Sequence, residues 1–459
     1  MKKMQTPLDP KFFPLSLEYR DYEKAVKESG NPVPFAVRIV RSGGLYSSYR
    51  MDLLPQGADD TRTIKLVDRL VKSLLWVRGG YKIITAGSPM VHQHLEAAYR
   101  EGGSRFFDAD FMATVYERPF EVEEAFDVEE LSHSKENASS IGKHLDGCRI
   151  GFDAGGSDRK VSAVMDGETL YSEEVVWHPK VTSDPQYHYD GIVEAFKTAA
   201  SHLPRVDAIG VSSAGVYIDN KAMVASLFIA VPRDQFDSKV KNIYINAAKE
   251  IGDVPLVVAN DGDVTALAGA MGLNVGQVLG IAMGTSEAGG YVDDQMRIMG
   301  WLNELAFVPV DLSDEAMEDE WSGDIGCGVK YFSQDAVIKL APAAGIDVSH
   351  ANTPAEKLKV VQKELENKNP EAIKIFETIG VYFGYAIAWY SLFYKISQVL
   401  IMGRVTSGLG GDLIIKKAKE TLALEFPELA SQMKLDLPDE KARRVGQSVA
   451  AASLPEIVK

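Results

Sequence analysis

Apolar positions along the chain fall into short blocks that end in glycine turns, alternating with stretches of helical spacing. CRIGFDAGG (148–156) reads as a buried strand entering a glycine turn. KVSAVMDGETLYSEEVVW (160–177) continues as two strands around the Asp-Gly turn at Asp166 and Gly167. The spacing predicts a helix over 189–203, a strand over 206–215, a strand over 254–261 and a helix from Val264. VLGIAMGTSEAGGYVDD (278–294) is a second strand–turn–strand pair with the layout of the first: apolar strand, small-residue turn, strand, acidic turn. Two such units suggest two related lobes, although glycine hairpins resemble one another in any protein. A long apolar helix follows at 372–396, then the strand QVLIMG (398–403), the glycine-rich turn RVTSGLGGD (404–412) and a short helix in RRVGQSVAAASL (443–454). This alternation predicts an α/β protein with mixed sheets covered by helices.

The first third of the chain reads as a small α/β module. FAVRIVRSGGLYSSYRMDLLP (35–55) has the pattern of a β-hairpin. VDRLVKSLLWVRGGYKIITAG (67–87) gives an amphipathic helix, a Gly-Gly break and a strand, and a further helix fits 91–103. His92 and His94 stand two apart there without an evident third metal ligand. The polar, Ser- and Asn-rich stretch LSHSKENASSIGKHLDG (131–147) is the best boundary. The expected domains are therefore 1–145, a first and smaller lobe at 146–262 rejoined by a terminal helix at about 443–457, and a second lobe at 263–442.

At 459 residues the chain is too long for one ordinary core. A composition 46% hydrophobic and 25% charged is that of a soluble globular protein, and the apolar runs are short for a membrane span. The start, MKKMQTPLDPKFF, lacks the apolar core of a signal peptide. Cys148 and Cys327 are the only cysteines, which argues against a disulfide scaffold or a cysteine zinc site and suits the cytoplasm. The net charge of −16 disfavours non-specific nucleic-acid binding. Residues 1–105 carry a surplus of six positive charges, however, which leaves nucleic acid open for that segment. No helix-turn-helix can be placed in it. The oligomeric state is open, a homodimer included.

Three turns could serve phosphates or nucleosides. GFDAGGSDRK places Asp153 at the end of a strand just before Gly155, Gly156 and Ser157. Glycines admit phosphate oxygens close to backbone N–H groups, and an acid at that mouth can hold Mg²⁺ through water. AMGTSEAGG offers Gly284, Thr285 and Ser286. IMGRVTSGLGGD offers Gly403, Gly408, Gly410 and Gly411 as a bare surface for a base or ribose. VVANDGDV (257–264) ends a strand with Asn260, Asp261 and Asp263, where an Asp can accept a proton from a hydroxyl. Capping of the next helix by Asp261 or Asp263 is the other reading.

Taken in order, these segments resemble the ROK family of sugar kinases and regulators. IGFDAGGSDRKVSAVMDGE is similar to that family's first phosphate motif, VVANDGDVTALAGAM to its ENDANAAALGE segment, GIAMGTSEAGGYVDD to LGTGIGGGIV-DG, and GWLNELAFVPVD (300–311) to GAAGEIGHMPVD. The resemblance spans about 148–457. It implies a two-lobed ribonuclease H-like ATPase fold of the actin and hexokinase type, with the N-terminal α/β module added. It implies ATP and Mg²⁺ as cofactors and a sugar or sugar-like hydroxyl as acceptor in carbohydrate metabolism. Carried over residue by residue, Asp261 is the catalytic base, and Asn260 and Glu304 hold sugar hydroxyls. Asp153 positions Mg²⁺; Gly155, Gly156, Ser157, Gly284, Thr285 and Ser286 line the phosphates; Gly403, Gly410 and Gly411 lie by the adenosine.

The pattern breaks in four places. Phe307 stands where the family has a His serving both sugar and zinc. EWSGDIGCGVKYFSQ (320–334) keeps only Cys327 of the zinc-loop cysteines, so no structural zinc is expected. The segment Ser226–Leu227–Phe228 lacks the family's sugar-binding Asn. Asp158 replaces the Lys after the phosphate turn, adding negative charge where a triphosphate is expected. These departures leave a non-catalytic sugar- or nucleotide-sensing regulator, transcriptional or otherwise, as the alternative to a kinase.

Overall fold

The computed structural model describes residues 4–136, 141–438 and 446–457. The first run of the chain forms α1 (Leu15–Ser29), the hairpin β1 (Val33–Val40) and β2 (Tyr46–Leu53), α2 (Asp60–Arg78), β3 (Lys82–Ala86), α3 (Pro89–Tyr99), α4 (Phe106–Tyr116), β4 (Glu121–Glu124) and α5 (Val128–Leu131). The second run gives β5 (Cys148–Ala154), β6 (Asp158–Met165), β7 (Glu168–Val176), α6 (Pro185–Ser201), β8 (Ala208–Ser213), β9 (Val216–Ile218), β10 (Lys221–Val224), α7 (Arg233–Gln235), α8 (Ile243–Lys249), β11 (Leu256–Asn260) and α9 (Asp261–Leu273). The third gives β12 (Val278–Met283), β13 (Glu287–Val292), α10 (Gln334–Leu340), α11 (Pro354–Glu366), α12 (Pro370–Tyr390), β14 (Gln398–Met402), α13 (Leu409–Glu425), α14 (Pro427–Gln432), β15 (Lys434–Asp436) and α15 (Gln447–Ala452). Among the described residues no helix is long and apolar enough to cross a membrane.

By contact the chain divides into two units. Met1–Asn137, Ile281–Gly289 and Trp301–Leu437 make one, and Ala138–Gly280, Gly290–Gly300 and Pro438–Lys459 make the other. These units cut the chain differently from the expected 1–145, 146–262 and 263–442. The N-terminal segment has its own four-stranded sheet, in the order β2-β1-β3-β4, yet it clusters with the later residues of its unit. Side chains account for this. Phe12 is buried among the rings of Tyr331, Tyr382 and Tyr385, with centroids 5.7, 4.5 and 6.2 Å away. Trp76 of α2 stacks on Phe307 at 4.2 Å. Asp324 lies 2.6 Å from both Arg69 and Lys72 and 2.7 Å from Arg105. None of these partners is adjacent in sequence. Part of the expected linker at 131–147 (137–140) and the start of the terminal helix at 443–457 (443–445) fall outside the described residues.

In the other unit the sheet runs β11-β8-β5-β6-β7. β5, β8 and β11 are parallel, whereas β6 and β7 add as antiparallel hairpins. α15 packs on this sheet so closely that a Cβ on Gly151 would lie 1.8 Å from the Ser448 carbonyl, and one on Gly210 would lie 1.7 Å from that of Ala451. Only glycine permits that approach. β9 and β10 pair as a two-stranded sheet, and a further four-stranded sheet, ordered β13-β12-β14-β15, contains the second glycine turn.

Candidate active site

The three parallel strands end at one edge, and their register sets the site. Asp153 on β5 pairs with Ser212 on β8, and Ser213 pairs with Asn260 on β11. Polar side chains thus gather at the carboxyl ends of parallel strands, where open α/β sheets place their ligands. Ser212 Oγ donates to Asp153 Oδ1 at 2.8 Å. Gln447 of α15 donates to Ser212 Oγ at 2.9 Å and to the Asp261 carbonyl at 3.1 Å, tying both strand ends to the terminal helix. Ser213 receives the hydroxyls of Tyr217 and Tyr244 at 2.7 and 2.8 Å. Sequence reasoning did not find Ser212 or Gln447, because neither falls in a recognisable motif and only the strand register brings them to Asp153.

Asn260, not Asp261 or Asp263, caps α9. Its side-chain oxygen accepts from the Gly262 N–H at 2.8 Å, and its amide donates to the Gly215 carbonyl at 2.8 Å. Asp263 is buried and accepts from the Tyr291 N–H at 3.0 Å. Asp261, the first residue of α9, spends one oxygen weakly on Gly262 at 3.0 Å and stays half-buried. Burial pushes its carboxyl above the ordinary range, while backbone hydrogen bonds and the charge of Lys180 pull it back. Burial, followed by the Asp261 charge, pushes Asp153 up to about 6 against the opposing Ser212 hydrogen bond. Two mutually repelling carboxylates at a strand edge are a donor set that a divalent cation would relieve. Among the described residues no group of three His, Cys, Asp or Glu is arranged around a metal, so Mg²⁺ at Asp153 would take its other ligands from water and phosphate.

The turn after β5 is held by Trp177, whose backbone N–H donates to Ser157 O and whose ring N–H donates to Gly155 O at 2.7 Å. The Ser157 hydroxyl is engaged with Asp158 Oδ2 at 2.9 Å. The second predicted turn belongs to the other unit. There Gly284 N–H donates to Ser286 O at 3.0 Å, and a Cβ on Gly284 would meet nothing closer than 3.7 Å, which leaves the turn open. Gly403 adopts φ 104° at the end of β14, where a Cβ would strike Met283 O at 2.4 Å. Gly410 and Gly411 are buried. Their Cα faces are covered by Phe376 and the Val405 carbonyl, and by the Thr406 carbonyl and Leu437, so they do not form the bare surface expected from sequence.

Glu304 is half-buried, with its N–H donating to Trp76 O at 3.1 Å. Next to it in the same unit is Glu287, 3% exposed, which receives Tyr390 OH at 3.3 Å on Oε1 and no donor on Oε2. Burial, with Glu304 adding, pushes Glu287 up to about 8. A carboxyl with a raised folded pKa binds more protons in the folded than in the unfolded state, so stability falls as pH rises from the ordinary carboxylate range toward 8. Glu287→Gln is therefore expected to melt about 3 °C or more above the native protein at pH 9 and close to it at pH 5, as read by thermal unfolding. Phe307 packs among Trp76, Phe107, Phe111 and Trp321. His92 and His94 lie within α3 and turn to different partners, Thr85 at 3.2 Å and Asp68 at 3.3 Å.

No family model and no curated protein matches this chain. Solved structures do. A ROK hexokinase from Thermus thermophilus aligns over 67% of this chain and 97% of its own, with a TM-score of 0.51 at 16% identity. The fold is that of the ROK hexokinases. A ROK family glucokinase from Streptomyces griseus, solved with glucose and AMPPNP, aligns over 66% of this chain and 98% of its own at 18% identity and a TM-score of 0.48. A ROK family transcriptional regulator, a homologue of the E. coli MLC protein, aligns over 67% and 78% at 19% identity and 0.49. The mixed α/β architecture expected from the alternation of strands and helices matches the fold of the Thermus thermophilus hexokinase.

Proposed function

We propose that this protein transfers the γ-phosphoryl group of ATP to a hydroxyl of a sugar or sugar-like polyol. The observation that carries the reading is the register that sets Asp153 and Asp261 at the same edge of the sheet, at the ends of the two strands that flank β8, with Ser212 and Gln447 fixing them. Asp261 accepts the proton of the attacking hydroxyl. The hydroxyl oxygen bonds to the γ-phosphorus as the bond to the β,γ-bridging oxygen breaks, and ADP leaves. Mg²⁺ at Asp153 would neutralise charge on the phosphates. The pull of Lys180 on Asp261 favours the ionised carboxylate that a base requires. Asn260, occupied as the α9 cap, would orient the segment carrying Asp261 and offer its second amide hydrogen to the sugar. Gly155, Gly156 and Ser157 are proposed as one phosphate turn; Gly284, Thr285 and Ser286 of the other unit are proposed as another on the openness of their own turn. Glu304 is proposed as a sugar contact, and Gly403 with the backbone of Gly410 and Gly411 as adenosine contacts.

A nucleic-acid-binding regulator would use the positive surplus of residues 1–105. Much of that charge is committed within its own unit: Arg69, Lys72 and Arg105 are buried in ion pairs, and Arg41, Arg62 and Lys82 are paired with Glu136, Glu18 and Glu121. The kinase reading is tested by supplying Mg-ATP with a panel of hexoses, amino sugars and polyols and following phosphorylated product. Product with any acceptor supports it. Nucleotide binding without product on any acceptor would turn the reading to a sensor.

A further inference from the structure

The phosphate turn after β5 carries an electrostatic deficit. Asp158 stands directly behind Ser157 and occupies its hydroxyl. Arg159, the nearest cation in sequence, is paired with Glu194, and Lys160 is shared between Asp158 and Glu174, each at 3.6 Å. With Asp153 and Asp261 at the same sheet edge, at the ends of β5 and β11, acids outnumber committed cations where a polyphosphate has to sit. Neither glycine amides nor an occupied serine supplies net positive charge.

A lysine remote in sequence fills this gap in space. The Lys180 side chain lies along the open face of Gly156: a Cβ at Gly156 would be 3.0 Å from Lys180 Cε and 3.3 Å from Nζ. Among the described residues Lys180 forms no ion pair, and its charge reaches Asp261. Its backbone is firmly placed. Pro179 is buried, its carbonyl lies 3.0 Å from Nε2 of fully buried His188, and the other ring nitrogen of His188 lies 3.1 Å from the Asp184 carbonyl. Thr182 Oγ1 donates to His178 O at 2.7 Å, and His178 N–H donates to Tyr187 OH at 3.0 Å. The stem is held at its root and the ammonium is left at the turn.

We propose that Lys180 is a phosphate-contact residue, binding the β- or γ-phosphate of the nucleotide in place of the positive charge that Asp158 removes from the turn. The proposal rests on the nucleotide half of the function above and needs no sugar. A compact ammonium on a flexible stem suits a phosphate oxygen as a point charge, and charge-assisted contacts of this kind are the stronger ones.

The test is calorimetric binding of AMPPNP, inorganic tripolyphosphate and adenosine, each with Mg²⁺, to the full chain and to Lys180→Met and Lys180→Arg. Lys180→Met is expected to weaken AMPPNP and tripolyphosphate by about tenfold or more while adenosine binds as before, and Lys180→Arg should recover most of the loss. Unchanged AMPPNP binding in Lys180→Met would leave Lys180 a solvated surface lysine and overturn the proposal. Equal losses for adenosine would show a structural effect and overturn it too. If the native chain binds neither AMPPNP nor tripolyphosphate, the nucleotide reading falls together with this one. If it binds both but phosphorylates no sugar, only the kinase reading falls.

Discussion

Asp261→Asn is expected to lower sugar phosphorylation by about 10²- to 10⁴-fold, the range that a positioned general base contributes. The substitution is nearly isosteric. An asparagine oxygen still accepts from the Gly262 N–H, and the α9 cap belongs to Asn260, so the helix start survives. What disappears is the ability to take a proton. Nucleotide affinity should be retained, so that kcat falls and the Kd for AMPPNP does not. Turnover equal to that of the native protein would remove Asp261 from the role of base. A loss of nucleotide binding in step with turnover would instead point to a collapse of the strand edge that Gln447 and Ser212 hold.

The largest stability effect is expected at Asp324. Its carboxylate is 11% exposed and meets three cations, Arg69, Lys72 and Arg105, whose side chains are 9%, 1% and 7% exposed. Asp324→Ala would leave these buried cations short of a counter-charge, with Asp68 and Asp108 unable to reach all of them. The expected cost is about 3–5 kcal/mol, the range for breaking a buried pair from one side. Asp314→Ala, which removes the exposed partner of Lys65, should leave stability close to that of the native protein, because a solvated pair is screened. Equal effects of the two substitutions in denaturant titrations would show that the buried cluster contributes no more than a surface pair. The pH dependence has a definite sign. Burial alone would raise the Asp324 carboxyl, but Lys72, Arg69 and Arg105 outweigh it and hold the group well below the usual range. A depressed acid contributes stability above its unfolded value, about 3.9, and loses it as pH falls through the folded value. The native protein should therefore lose stability below about pH 4, and Asp324→Ala should lose less over the same interval.

Much of the fold was legible because glycine and alternation carry local information. The strand–turn–strand pairs, the hairpin at 35–55 and the helix–break–strand at 67–87 appear where their periodicities put them, and the long apolar helix expected at 372–396 forms but ends at Tyr390. Asp153 and the strand end at Asn260–Asp261 could be read for the same reason: each closes an apolar run. Properties set by non-local partners were not legible. Nothing near Phe307 announces Trp76, and nothing in EWSGDIGCGVK announces the three cations that α2 and its neighbours bring to Asp324. The reading of 1–145 from charge and composition carries no information on these contacts, because charge and composition report a segment's surface and not what it packs against. Gly410 and Gly411 show the converse error. A glycine run looks bare in sequence, whereas here each glycine is needed because a neighbouring side chain or carbonyl already fills the space of its Cβ.

The close seat of α15 on Gly151 and Gly210 has a consequence for biosynthesis. Strand β8, which carries Gly210, leaves the ribosome roughly 230 residues before α15 does, which at 5–20 residues per second is an interval on the order of tens of seconds. Throughout that time the sheet presents a groove floored by two side-chain-free positions, and Ser212 lacks the amide of Gln447. The strand edge that carries Asp153 and Asp261 is therefore completed only once Gln447 has emerged. A nascent chain halted before residue 447 would expose an apolar sheet face, a natural target for holding chaperones.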